Sequence, residues 1–247
     1  MSPTVNYHFL DAGKPFEVHN RQRSAFQILY GDYLSKEAAL RGRVLDIGCG
    51  HGVNPTLERL VPHLGQLDGV DPFPAVTPPA HLVNRWSCKL EDIPVASETY
   101  DMAYSYNVVE HVENIDSFLS KTVDLLKPGG VYWSMSPNAR HPFTWATRTA
   151  ERLGLKRLYQ RLLKPNANDY PAYYRLSSDT NILRAIKRYR LPVSRIDFYY
   201  LDCVQWDSYF PRPLHAIPHA IDRAFVLRRP KMGFIFIFRL QKDGGSA

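Results

Sequence analysis

The sequence predicts an α/β fold built on a mainly parallel sheet with helices on both faces. Three observations carry that reading. Short apolar runs at 43–47, 67–70, 82–86, 100–106 and 131–136 alternate with segments of helical spacing or turn residues. The first run leads into the glycine loop Gly48-Cys49-Gly50-His51-Gly52, after which Asn54 and Pro55 supply a helix cap and a first-turn proline. The chain has 247 residues, of which 45% are hydrophobic and 22% charged, which suits one continuous core and is too apolar for disorder. In such sheets ligands sit beyond the carboxyl ends of the strands, where the glycine loop falls.

Taken in order, residues 1–42 read as a mostly helical lead-in, because Phe26, Leu29, Tyr30, Tyr33 and Leu34 recur at three- and four-residue steps. The strand at 67–70 ends at Asp71-Pro72, and the Pro-rich stretch 72–79 breaks regular structure before 82–86. Strand 100–106 is followed by a helix over 114–126 with Ile115, Phe118, Leu119, Val123 and Leu126 on one face. Lys127-Pro128-Gly129-Gly130 stops that helix ahead of strand 131–136. The rhythm then breaks for a basic insertion, 137–177, with a helical stretch around 145–163 and an aromatic loop at 170–174. It resumes with a helix over 178–189 and a strand near 193–199. A second, aromatic insertion at 201–231 precedes a closing strand at 233–240. The expected organisation is a single domain over 1–247: the lead-in, a ligand-binding core at 43–136, a lid at 137–177, and the rest of the sheet at 178–200 and 232–240.

Composition excludes several classes. The longest apolar run, Phe234 to Phe238, is five residues, where a membrane-spanning helix needs about 20. The N-terminal MSPTVNYHF has no basic stretch before an apolar core, so a cytoplasmic protein is expected. Cys49, Cys88 and Cys203 are odd in number and far apart, which provides neither a disulfide framework nor a CxxC metal knuckle. The net charge is +7, and it is localised. Residues 138–195 hold 13 Lys and Arg against 3 Asp and Glu, leaving 18 against 21 elsewhere. Such a segment is either a solvated helical face or a surface for an anionic partner.

A glycine loop between strand and helix lets backbone approach a ligand closely, in dinucleotide sites and in S-adenosylmethionine sites alike. A dinucleotide fingerprint wants a third glycine three residues after Gly50, where Val53 stands. Asp46, two residues before Gly48, places a carboxylate at the mouth of the loop, unfavourable beside a pyrophosphate and favourable beside a cation. Asp71, at the end of the second strand, is placed to accept hydrogen bonds from both hydroxyls of a ribose under either chemistry.

The stretches Val44-Leu45-Asp46-Ile47-Gly48-Cys49-Gly50-His51-Gly52, Gly69-Val70-Asp71, Leu90-Glu91-Asp92-Ile93-Pro94, Tyr100-Asp101, Asn107-Val108-Val109-Glu110-His111-Val112 and Leu126-Lys127-Pro128-Gly129-Gly130 resemble, in order and spacing, class I S-adenosylmethionine-dependent methyltransferases, in particular the ubiquinone-biosynthesis-type branch of small-molecule enzymes. The resemblance covers residues 43–136. It implies a Rossmann-like, seven-stranded, mostly parallel sheet with an antiparallel last strand, and S-adenosyl-L-methionine as cofactor. Carried over position by position, it makes Asp46, Gly48, Cys49 and Gly50 the loop around the methionine moiety and Asp71 the ribose ligand. It sets Leu90 and Glu91 beside the adenine and Asn107 next to the methionine part, facing the acceptor. The family often has an acidic residue just before Leu90; here it is Lys89.

Methyl transfer to a hydroxyl needs a base, and histidine suits that role near neutral pH. Of nine histidines, His111 and His141 fall where strand ends converge. Some relatives hold a divalent metal with a Glu-x-x-Glu-His run; here Asn107 replaces the first carboxylate, so no metal is expected. The lid, through Arg140, Arg148, Tyr170, Tyr173, Tyr174 and Arg175, is expected to meet the acceptor, a small molecule, glycan or natural product with a hydroxyl. The rival readings are a nucleic-acid methyltransferase, for which no RNA-binding signature is found, a non-catalytic partner subunit, and a nicotinamide-dependent reductase. In 201–231, apolar steps between Leu214 and Phe225 fit an amphipathic helix with basic flanks. It either packs on its own domain or makes a surface for an anionic membrane or a second copy, which would bring in a lipid-linked acceptor.

Overall fold

The computed structural model describes residues 2–9, 25–50, 60–73, 81–154, 171–201 and 216–245. Their strands form one eight-stranded sheet. In chain order the elements are β1 (Thr4–Phe9), α1 (Ala25–Leu34), β2 (Arg43–Ile47), β3 (Gln66–Val70), β4 (Asn84–Trp86), β5 (Tyr100–Tyr106), α2 (Ile115–Leu125), β6 (Leu126–Pro137), α3 (Pro142–Arg152), α4 (Asp179–Tyr189), β7 (Val193–Leu201), α5 (Ala216–Arg228) and β8 (Ile235–Lys242). The strand order is β1-β7-β8-β6-β5-β2-β3-β4. All pairs are parallel except those of β8, which runs antiparallel to β6 and β7. The predicted fold class is therefore found, with one strand added. The order reverses between β2 and β5, so a crevice opens at their carboxyl ends.

The added strand corrects the reading of residues 1–42 as mostly helical. Thr4–Phe9 pairs in parallel with β7 at the sheet edge, stacking Tyr7 on Phe198, His8 on Tyr199 and Phe9 on Tyr200. The buried Asp197 accepts from Asn6 Nδ2 at 2.8 Å and from Arg195, fixing the register. Helix does follow, at Ala25–Leu34, where Tyr30 and Leu34 are fully buried as expected.

Alternation along the strands divides the core between the two faces of the sheet. Val44, Met102, Tyr104 and Trp133 pack with Tyr30 and Leu34 of α1 on one face. Leu45, Ile47, Ala103 and Tyr132 pack with Phe118, Leu119 and Val123 of α2 and Ile182 and Ile186 of α4 on the other. Asn114 caps α2, its side-chain oxygen accepting from the N–H groups of Asp116 (3.1 Å) and Ser117 (3.2 Å). β6 begins earlier than expected: Leu126 already pairs with Tyr100, and the Lys-Pro-Gly-Gly stretch bulges out before Val131 pairs with Met102. No helix among the described residues is long and apolar enough to cross a membrane.

Candidate functional site

Past Ile47 the chain turns through Gly48 (φ +79°) and Gly50 (φ +60°), conformations that a side chain resists. The Gly48 N–H donates to the Val70 carbonyl at 2.7 Å. Asp71 ties the loop after β2 to the loop after β3: Oδ2 accepts the Gly50 N–H at 2.9 Å and Oδ1 the Phe73 N–H at 2.9 Å. Each carboxylate oxygen keeps a second lone pair for a ligand hydroxyl. A Cβ at Gly48 would lie 2.3 Å from Val108 Cγ2, so this glycine lets the loop close on the segment after β5. A Cβ at Gly50 would meet no described atom within 4 Å. Gly48 is thus a packing contact, and Gly50 is not. Cys49 is buried with its sulfur over Gly69, and burial, with Asp46 adding to it, pushes the thiol up to about 12. Only its backbone can serve a ligand.

Asp46 is 4% exposed. Burial raises its carboxyl to about 7; the hydrogen bond from Tyr104 (2.8 Å) opposes this, and the charge of Asp71 adds to it. Among the described residues no cationic side chain pairs with Asp46, so a ligand cation would stabilise its charged form. Leu90 is buried in the cluster of Ile47, Val70 and Ile93, with Glu91 half-buried beside it in a short turn. The sequence reading missed Arg85 on β4. Its Nη2 holds the Phe73 carbonyl at 2.7 Å and its Nη1 the Ser87 hydroxyl at 2.7 Å, so it braces the turn that orients Asp71.

At the end of β5, Asn107 is exposed and left-handed (φ +53°), with its N–H on the Met135 carbonyl at 2.9 Å. The turn Val109–His111 is stitched to the end of the lid. The Glu110 carbonyl accepts the N–H groups of Tyr173 (2.7 Å) and Tyr174 (2.9 Å), and Arg175 donates to the Glu113 carbonyl at 2.6 Å. His111 Nδ1 lies 2.9 Å from the Pro171 carbonyl. A carbonyl only accepts, so Nδ1 carries the proton in this contact. The Arg148 guanidinium lies over Tyr174 and that of Arg175 over Tyr173, which gathers four of the six lid residues near His111. Burial raises the Glu110 carboxyl to about 8, and its Oε2 has no hydrogen-bond partner.

The remaining candidates are placed differently. His141 is 2% exposed and caps α3, its Nδ1 accepting the Phe143 N–H at 3.1 Å with the ring edge-on to Phe234. That bond uses the Nδ1 lone pair, and burial keeps the ring from an acceptor. Arg140 binds the buried Asp179 at 2.7 Å, opposite Lys231 at 3.2 Å. Burial pushes the Asp179 carboxyl up, but Arg140 and Lys231 outweigh it and hold it below the usual range. Arg140 therefore anchors the start of the lid rather than an acceptor. Tyr170 lies outside the described residues.

A family model described as a methyltransferase domain matches residues 18–185. The ubiquinone biosynthesis O-methyltransferase of Mesorhizobium japonicum is 33% identical over 122 residues, covering 46% of this chain and 44% of that protein. That of Agrobacterium fabrum is 27% identical over 150 residues, covering 52% and 56%. This chain spans about half the length of these curated relatives. Among solved structures, the fold is shared with the YcgJ protein of Bacillus subtilis, at a TM-score of 0.54 and 15% identity over 88% of this chain and 99% of that one. It is shared also with phosphoethanolamine N-methyltransferase 2 of Haemonchus contortus, solved in complex with S-adenosyl-L-methionine, at 0.55 and 14% over 93% and 55%.

Proposed function

This chain belongs to the methyltransferase-domain family, and on that premise we propose that it moves a methyl group from S-adenosylmethionine to a hydroxyl of a small-molecule acceptor in the cytoplasm. The observation that carries the reading is the 2.9 Å contact between His111 Nδ1 and the Pro171 carbonyl, which holds the ring in the turn that follows Asn107. The residues of the glycine loop suit the cofactor: no described atom within 4 Å of a Cβ at Gly50, spare lone pairs on Asp71, and a buried Asp46 whose charged form needs a cation.

When bound, S-adenosylmethionine supplies an electrophilic methyl and leaves as a thioether. Asp71 accepts from the ribose hydroxyls, and its bonds to Gly50 and Phe73, braced by Arg85, fix its orientation beforehand. Asp46 offsets the positive charge of the ligand. Nε2 of His111 takes the proton that the acceptor hydroxyl gives up as its oxygen is alkylated. The tyrosine and arginine pairs at 173–175 and 148 receive the acceptor, for which an aromatic or sugar ring bearing an anionic group is the best match. The names of the curated relatives agree with an oxygen acceptor.

The test is incubation of the full chain with S-adenosylmethionine and panels of phenols, catechols and glycans, read by mass spectrometry. The expected result is one S-adenosylhomocysteine per O-methylated product. Transfer only to amines, thiols or RNA would overturn the assignment of a hydroxyl.

A further inference from the structure

We propose that the corner where α3 leaves β6 and α5 enters β8 is a docking surface for an anionic phospholipid bilayer. Pro137 pairs with Ile235, so both helices meet the sheet at the end that carries the glycine loop. They are bound there to one short segment. The Asn138 side chain donates to the carbonyls of Lys231 (3.0 Å) and Gly233 (2.7 Å), and the rings of His141 and Phe143 pack edge-on to Phe234. Around this fixed point the helices present large apolar side chains to solvent: Trp145 (70% exposed) and Leu153 (68%) on and just after α3, Ile221 (65%) and Leu227 (61%) on α5. Predicted amphipathicity buries such residues, yet among the described side chains of α5 Val226 is buried and Ile221 is left out.

Charge selects the occupant. Residues 139–154 and 216–232 together hold seven Lys and Arg against two Asp and Glu, and once Arg140 and Lys231 are set aside as partners of Asp179, five cations remain. Arg152, Arg228 and Arg229 are exposed directly beside Leu153 and Leu227. A second copy on this face would set arginine against arginine. RNA would leave Leu153, Ile221 and Leu227 without a role. An anionic bilayer accommodates both sets at once, with Trp145 at headgroup depth, the aliphatic side chains at the acyl boundary and the arginines on lipid phosphates. The inference rests on this surface and not on the methyl acceptor, so membrane binding and turnover are read separately.

Co-sedimentation of the full chain with vesicles of phosphatidylcholine, alone or mixed with phosphatidylglycerol, tests it. The chain is expected to bind the mixed vesicles and to lose binding as salt rises. Arg152→Ser and Arg228→Ser should each weaken binding about fivefold at low salt. Trp145→Ser combined with Leu227→Ser should weaken it about tenfold or more. The melting temperature and S-adenosylmethionine affinity should not change, because these side chains are exposed and lie outside the proposed cofactor site. Absence of sedimentation, equal binding to neutral vesicles, or unchanged binding by the folded variants would overturn the proposal. So would a dimer in sedimentation equilibrium that Trp145→Ser converts to a monomer.

Discussion

Lowering the pH from 8 to 6 should weaken S-adenosylmethionine binding about tenfold, because Asp46 must be ionised to face a cation. With its carboxyl at about 7, about nine-tenths of the free protein carries the charge at pH 8 and about one-tenth at pH 6, and the apparent dissociation constant scales inversely with that fraction. The sign follows from burial. The carboxyl is raised above its unfolded value, so its contribution to stability is complete below about pH 4 and is lost as the pH rises through about 7. The ligand-free protein therefore gains stability on mild acidification while it loses affinity. Calorimetric titration in buffers of different ionisation enthalpy reads both the dissociation constant and the protons released. Methylthioadenosine, which lacks the methionine ammonium, carboxylate and sulfonium, should show no such dependence. Asp46→Asn should abolish it, and Glu110→Gln, at another buried carboxyl raised into this range, should preserve it. A flat dissociation constant from pH 6 to 8 with no proton release would refute the placement of Asp46 beside the cation.

Gly50→Ala should cost about 1 kcal/mol of stability for its left-handed backbone, yet weaken cofactor binding strongly, since the new methyl would stand where the proposed cofactor approaches the loop; equilibrium titration separates the two effects. His111→Ala should lower kcat about 100-fold with cofactor affinity unchanged. His141→Ala should instead remove a helix cap at about 1 kcal/mol, seen in denaturant melts and not in turnover. Asp179→Asn should destabilise the protein by about 1 to 2 kcal/mol, because Arg140 and Lys231 lose their shared buried partner but can turn to water; urea unfolding checks it.

The parts of the site that were legible in the sequence are those set by local chemistry. Gly48 and Gly50 mark backbone that only glycine adopts freely, and Asp46 and Asp71 follow from their offsets to that loop. The central strands announced themselves as short apolar runs. What stayed hidden depends on partners remote in sequence. β1 is a strand because β7, about 190 residues away, offers Asp197 and a row of aromatic rings, although the alternation of Val5, Tyr7 and Phe9 was a signal available in the sequence. Arg140 reads as an acceptor contact until Asp179 is seen beside it, and His141 reads as a base until its Nδ1 is found on the Phe143 N–H. Arg85 carries no motif; its role appears only when its guanidinium is seen on the Phe73 carbonyl.

The loop after β2, with Asp46 and Asp71, is where we propose that S-adenosylmethionine is held. Titrating the full chain with that cofactor and with NADH at pH 8, beside a folded Asp71→Ala variant, tests this placement most directly. Saturable binding of one S-adenosylmethionine per chain, no binding of NADH, and a loss of about 2 to 4 kcal/mol in the variant are expected. Binding of NADH in its place, or an S-adenosylmethionine affinity indifferent to Asp71, would contradict it.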